Sequence, residues 1–164
     1  MNNELEFKLF ENSIFSGNNG KAEEMIKSGI DLNQPGSNGM TPLILAIEGD
    51  QPRILELLLK SGANPNKQCG FGDGYAPLHW AVDYAIDGMI QSNKSTPFPE
   101  PLECIKILLN HGADAELKNN AGKTALDCAL DYTTSKEILN DVLPEEILNK
   151  LQTIETDKNG DAFR

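Results

Sequence analysis

Apolar residues recur along this chain at helical spacing, in short runs that each end on a glycine. The clearest is "ILELLLKS" (Ile54–Ser61), in which Ile54, Leu55, Leu58 and Leu59 line one face before Gly62. "CIKILLNH" (Cys104–His111) repeats it with Ile105, Leu108 and Leu109 before Gly112, and the shorter "MIKS" (Met25–Ser28) precedes Gly29. A helix that must stop there needs a left-handed residue, which glycine supplies at least cost, so Gly29, Gly62 and Gly112 are predicted to end helices. After these glycines come "GIDLN", "GANPN" and "GADAE", the first two 33 residues apart.

A second series opens the following units: "GMTPLILAI" from Gly39, "GYAPLHWAV" from Gly74 and "GKTALDCAL" from Gly122. Thr41 is placed to cap a helix and Pro42 to fill its first position, where a missing N–H costs nothing. Pro77 and Thr124 occupy the matching places in the later units. Ala76 replaces the capping threonine in the one and Ala125 the proline in the other, each expected to cost about 1 kcal/mol or less of local stability. Ala46, Ala81 and Ala129 recur at one step of these first helices, where neighbours must approach closely.

The period and order of these two series resemble the ankyrin repeat, over about Leu5 to Leu151. The resemblance implies an all-α solenoid of about four helix-turn-helix units joined by short hairpin-like loops. The expected organisation is one domain, 1–152, with units at about 5–35, 36–68, 69–118 and 119–143. A capping helix at 144–152, "PEEILNKL", and a polar tail at 153–164 complete it. Unit one, "KLFENSIFSGNNGKAEEMIKSG", has no threonine-proline signature and reads as an N-terminal cap, since a terminal repeat buries its face only against one neighbour.

Two departures in length stand out. Asn66 to Ala76 spans ten positions where Asn33 to Thr41 spans eight, so "KQCGFGDGY" forms a longer, glycine-rich finger with Phe71 at its tip. Pro77 to Gly112 spans thirty-five positions where Pro42 to Gly62 spans twenty. The fifteen extra residues fall between the two helices of unit three and include "MIQSNKSTPFPEP" (Met89–Pro101). The first helix is expected to run about one turn past Tyr84 before Gly88 or "QSNKS" breaks it. The loop then returns as an extended, proline-stiffened path through Pro97, Pro99 and Pro101, offering Phe98 for contact.

The chain has 164 residues and a net charge of −11, which disfavours nucleic acid and points to a basic partner. Met1–Glu6 carries Glu4 and Glu6 where a signal peptide needs basic residues, and no apolar run is long enough to span a membrane. A cytoplasmic, monomeric protein is expected. The three cysteines, Cys69, Cys104 and Cys128, make no CxxC pair, and Cys104 and Cys128 fall on core positions.

Catalytic, metal and cofactor sites are not predicted. His79 falls in the "PLH" step, where the resemblance implies hydrogen bonding within and between repeats, and His111 precedes a helix end that favours a cation. "DKNGD" (Asp157–Asp161) imitates the start of a calcium loop but lacks the closing glutamate. "GFGDG" (Gly70–Gly74) follows no strand and is a turn rather than a phosphate cradle.

A surface remains. The resemblance implies that partners bind a concave face made by the hairpin tips and the exposed steps of the first helices. In register those steps are Phe15 and Ser16, Glu48 and Gly49, Asp83 and Tyr84, and Asp131 and Tyr132. Phe15, Glu48, Phe71, Asp73, Asp83, Tyr84, Asp87, Phe98, Asp131 and Tyr132 are therefore the expected partner contacts: carboxylates that steer a cationic partner, and aromatics that anchor it. The function implied is a non-catalytic protein-binding module; a narrower form is an immunity protein of a compact bacterial type that neutralises a cognate toxin. Two alternatives stay open. One is a small-ligand receptor or enzyme using the insertion as a lid over His79, Asp83, Tyr84 and Asp87; the other is an intracellular scaffold.

Overall fold

The computed structural model describes residues 3–70, 72–92, 99–132 and 145–152, and these are helical with no strand among them. The helices are α1 (Asn3–Phe15), α2 (Asn19–Lys27), α3 (Pro42–Glu48), α4 (Pro52–Lys60), α5 (Pro77–Ser92), α6 (Pro99–Asn110), α7 (Ala125–Tyr132) and α8 (Glu145–Gln152). They form two layers. α1, α3, α5 and α7 stack in order as an inner row, α2, α4 and α6 as an outer row, and α8 closes the outer row against α6. This is an ankyrin-type solenoid, and its core runs continuously between the rows.

The small residues explain how closely the rows approach: Ala46, Ala81 and Ala129 are each 0% exposed. Leu58 and Leu108, at the same step before their glycines, are likewise fully buried, as are Ile54, Leu55 and Ile105. Gly29, Gly62 and Gly112 end the second helices at φ 87°, 99° and 85°, and a Cβ would meet nothing within 4 Å at any of them. The left-handed backbone, not crowding, is what favours glycine there. Unit one ends differently at its outer surface, where Leu5 and Leu9 of α1 stay exposed beside Met25.

Asparagines stitch one repeat to the next. Asn33 Oδ1 accepts from the Asn64 amide at 2.7 Å, and Asn66 does the same for Asp114 at 2.8 Å while donating to the Gly112 carbonyl at 3.2 Å. The fingers are joined by backbone bonds, Gly70 to the Gly39 carbonyl at 3.2 Å and Asn120 to the Asp73 carbonyl at 2.7 Å. These satisfy loop donors that would otherwise be left without partners between packed units.

Thr41 caps α3, its hydroxyl accepting from the Ile44 amide, with Pro42 next. In unit four the expected penalty of Ala125 is offset by a device that the sequence reading missed. Thr124 Oγ1 accepts from the Asp127 amide at 3.2 Å while Asp127 Oδ2 accepts from the Thr124 amide at 2.9 Å, a reciprocal capping box with aspartate in the third position.

The insertion needs correction. α5 has 16 residues where α3 has 7, and α6 has 12 where α4 has 9, so twelve of the fifteen extra positions lengthen helices. α5 continues through Gly88 to Ser92, about two turns past Tyr84 rather than one. A mid-helix glycine costs about 1 kcal/mol relative to alanine, and α5 offsets that by packing on α3, α6 and α7 at once. Pro99 and Pro101, expected in an extended return path, stand instead in the first turn of α6, with Pro101 buried. First-turn amides have no intrahelical acceptor, so proline loses nothing there. Pro97 and Phe98 lie outside the described residues, as do Phe71, the second helix expected for unit four, and the tail.

Candidate functional site

α1, α3 and α7 end at one edge of the inner row, with Phe15, Glu48 and Tyr132 as their last residues, and α5 passes that edge at Asp83 and Tyr84 and continues to Ser92. Phe15 is 54% exposed there, Glu48 is half-buried, Asp131 is exposed, and Asp83, Tyr84 and Asp87 are half-buried. Tyr132 closes α7, its side chain outside the described residues. Asp73 lies exposed on the long finger, its backbone carbonyl bound to Asn120.

These positions are not equivalent, although the register treats them alike. Asp131 is already ion-paired with Lys123 of its own unit's finger. Burial raises the Cys128 thiol, and the charges of Asp131 and then Asp83 add to it, which places Asp83 on the side of unit four. Tyr84 faces the other way, and its hydroxyl donates to the Asp50 carboxylate in the turn between α3 and α4. The stripe of acids flanked by tyrosines therefore divides. Tyr84 joins units two and three, while Asp131 is matched within unit four.

Asp50 and Glu100 were not picked out from the sequence, yet with Glu48 and Tyr84 they form an interacting charge cluster at this edge. Asp50 has φ 53°, the sole positive value among the described non-glycine residues, in the turn that ends α3. Aspartate tolerates that region better than most residues. Burial pushes the Asp50 carboxyl above its usual range, the nearby Glu100 pushes it further, and only the Tyr84 hydroxyl opposes them. Burial alone raises Glu48, and burial followed by the charges of Asp50 and Glu48 raises Tyr84. Glu100, in the lengthened first turn of α6, is exposed beside them. What the sequence does signal is the "EGDQP" turn, whose aspartate follows the helix-ending glycine.

A groove of about 250 Å³ runs from this edge toward the first finger, with Phe15, Glu48, Glu11, Leu45 and Asn38 in its walls and the Lys8 side chain among them. Burial raises Glu11 as well, against the opposing charge of Lys8.

His79 takes no part. It is 1% exposed, with Nε2 at 3.0 Å from the Lys123 carbonyl of the next unit and its ring 5.5 Å from that of Tyr75. Burial lowers its pKa, so the neutral form is favoured, with Nε2–H as the donor. Its Nδ1 is buried without a hydrogen bond. In this position it joins unit three to unit four. Cys104 is fully buried and its thiol is pushed up to about 12 by burial, so it serves as a core residue. Among the described residues no cluster of three or more His, Cys, Asp or Glu could hold a metal ion, and no helix is long and apolar enough to cross a membrane.

Known proteins share this architecture. A family model described as ankyrin repeats in three copies matches residues 12–92, and a single ankyrin repeat model matches 73–120. BCL-6 corepressor-like protein 1 of Homo sapiens is 34% identical over 119 residues, 73% of this chain and 6% of that protein. Rabankyrin-5 of Mus musculus is 28% identical over 141 residues, covering 78% and 11%. The ankyrin repeat protein FPV031 of Fowlpox virus (strain NVSL) is 31% identical over 121 residues, covering 73% and 31%. The chain thus spans less than a third of each of these curated relatives. Among solved structures, the ankyrin repeat domain of Bcl-3, described as a unique member of the IkappaB protein family, superposes with a TM-score of 0.61 at 25% identity. That match covers 80% of this chain and 49% of the other. Proteins of this fold are generally non-catalytic modules that bind other proteins. Repeat period, glycine-ended helices, stacked rows and matched relatives agree: the chain belongs to the ankyrin repeat family.

Proposed function

We propose that this chain is a protein-binding module that holds a basic partner against the acidic edge of its inner helix row. The observation that carries the reading is the gathering of Glu48 and Asp50 at Tyr84, with Glu100 beside Asp50 and with Glu48 and Asp50 both raised mainly by burial. Carboxylates partly withdrawn from water gain from an incoming Lys or Arg, and a net charge of −11 steers such a partner toward them. The lengthened first turn of α6 contributes Glu100, which gives the insertion a part in the same surface. A narrower form, in which the partner is a toxin that loses its activity when bound, uses the same face and requires no further chemistry.

Co-purification from the native host, with wild type beside the Glu48→Lys, Glu100→Lys double variant, tests the reading. Capture of a basic protein by wild type, weakened by added salt and lost in the double variant, is expected. An acidic partner, or capture unaffected by the charge reversal, would overturn it.

A further inference from the structure

At the N-terminal end of this edge, the last residue of α1 lies directly against the end of α3. A Cβ at Gly49 would stand 2.8 Å from the Phe15 carbonyl oxygen, so glycine is what lets the two backbones meet. That approach sets the Phe15 ring and the Glu48 carboxylate on one groove, with Leu45 as an apolar wall and Glu11 and Asn38 beyond. At about 250 Å³ the groove is smaller than the 300–1,000 Å³ typical of small-molecule sites, with room for a side chain of a docked partner.

The chemistry of the walls narrows which side chain fits. Glu48 has no cation paired with it among the described residues, and Glu11 is opposed by Lys8 of its own helix, which also lines the groove and is the cation an incoming side chain competes with. An aliphatic residue would cover Glu48 without pairing it, at a desolvation cost. Lysine would supply a point charge but no flat surface for the ring. A guanidinium can fork onto the carboxylate and lie over an aromatic face while its methylene stem runs along Leu45.

We infer that the groove between Phe15 and Glu48 receives one arginine side chain of the partner. This rests on the proposed basic partner and adds which residue it presents, and where.

The test is amide NMR of the full chain titrated with N-acetyl-arginine methylamide, and separately with the lysine and norleucine analogues. The arginine probe is expected to shift the amides of Phe15, Asn38, Leu45 and Glu48 saturably. Phe15→Ala and Glu48→Gln should each weaken it about tenfold, while Lys8→Ala, which removes a competing cation, should strengthen it. Both weakening changes are at solvent-accessible side chains, and unchanged amides elsewhere in the variants will report an intact fold. Equal shifts from the norleucine probe, or an unaltered response in Glu48→Gln, would overturn the inference. Shifts confined to Asp83, Asp87 and Glu100 would also overturn it, yet would leave the acidic-edge reading standing. No response anywhere along the edge would count against both.

Discussion

Units two and three occupy adjacent places in the stack and stabilise their first helices by different means. α3 is short and locally specified: a threonine cap, a proline at its first position and glycine at its end. α5 has alanine where the cap should be, a glycine inside it, and more than twice the length. It persists because it packs on α3, α6 and α7 and is tied at one end by His79 to unit four and further along by Tyr84 to unit two. What local signals do for unit two, tertiary contacts do for unit three. A segment that reads as an interruption can then be absorbed mainly as added helix.

The largest test compares the cores. Leu58 and Leu108 occupy the same step of the second helix and both are fully buried. Truncating either to alanine should cost about 2–5 kcal/mol, since each leaves a cavity that packed neighbours fill only partly. If unit three depends on its neighbours, Leu108→Ala will cost at least as much as Leu58→Ala in urea unfolding. A loss below about 1 kcal/mol at Leu108 would mean that α6 is peripheral and that the comparison fails.

The link between the two units is open to a smaller perturbation. Tyr84→Phe keeps the ring and removes the hydroxyl that donates to Asp50. A bond to a charged group is worth about 1.5–3 kcal/mol when buried, and the exposure of this pair reduces the expected loss to about 1 kcal/mol. The pH dependence has a definite sign. Glu11, Glu48 and Asp50 have folded pKa values above their ordinary ones, so they contribute stability at low pH that is lost as pH rises through the folded values. Without the hydroxyl Asp50 should move further up and carry that decline to higher pH, as carbon-13 NMR of the carboxyl would record. An unchanged Asp50 titration would show that Tyr84 does not act on it.

Repeat structure was legible because it rests on spacing: glycine after each second helix, alanine at each close approach, and apolar faces at i, i+3 and i+4. Features that depend on neighbours were not. Gly88 reads as a breaker and Pro99 and Pro101 as stiff loop, because sequence shows a glycine's cost and a proline's restriction but not the packing of α5 or the free amides of a helix start. Asp127 hides its capping role because aspartate is also a common surface residue. The expected acidic stripe treated unlike positions as alike. Position alone cannot reveal that Asp131 has Lys123, that Tyr84 has Asp50, or that Glu100 joins them from another helix.

The smallest expected effect bears on the absent cap of α5 and runs toward greater stability. His79 Nδ1 is buried without a hydrogen bond, three residues after Ala76, which stands where units two and four have Thr41 and Thr124. In Ala76→Thr the new hydroxyl can accept from the residue-79 amide, as Thr41 does from Ile44, and its proton can go to Nδ1. A gain of about 0.5–1 kcal/mol is expected in urea unfolding, in line with other N-caps. The histidine supplies a second reading. Its folded pKa lies below the ordinary 6.5, so its neutral form contributes stability above pH 6.5 that is lost as pH falls through the folded value. A hydroxyl donating to Nδ1 favours that neutral form further, so imidazole NMR should place the His79 titration lower still in the variant. Ala76→Val, similar in shape and without the hydroxyl, should give neither change. A gain shared equally by valine would assign the effect to packing and leave the missing threonine without consequence for unit three.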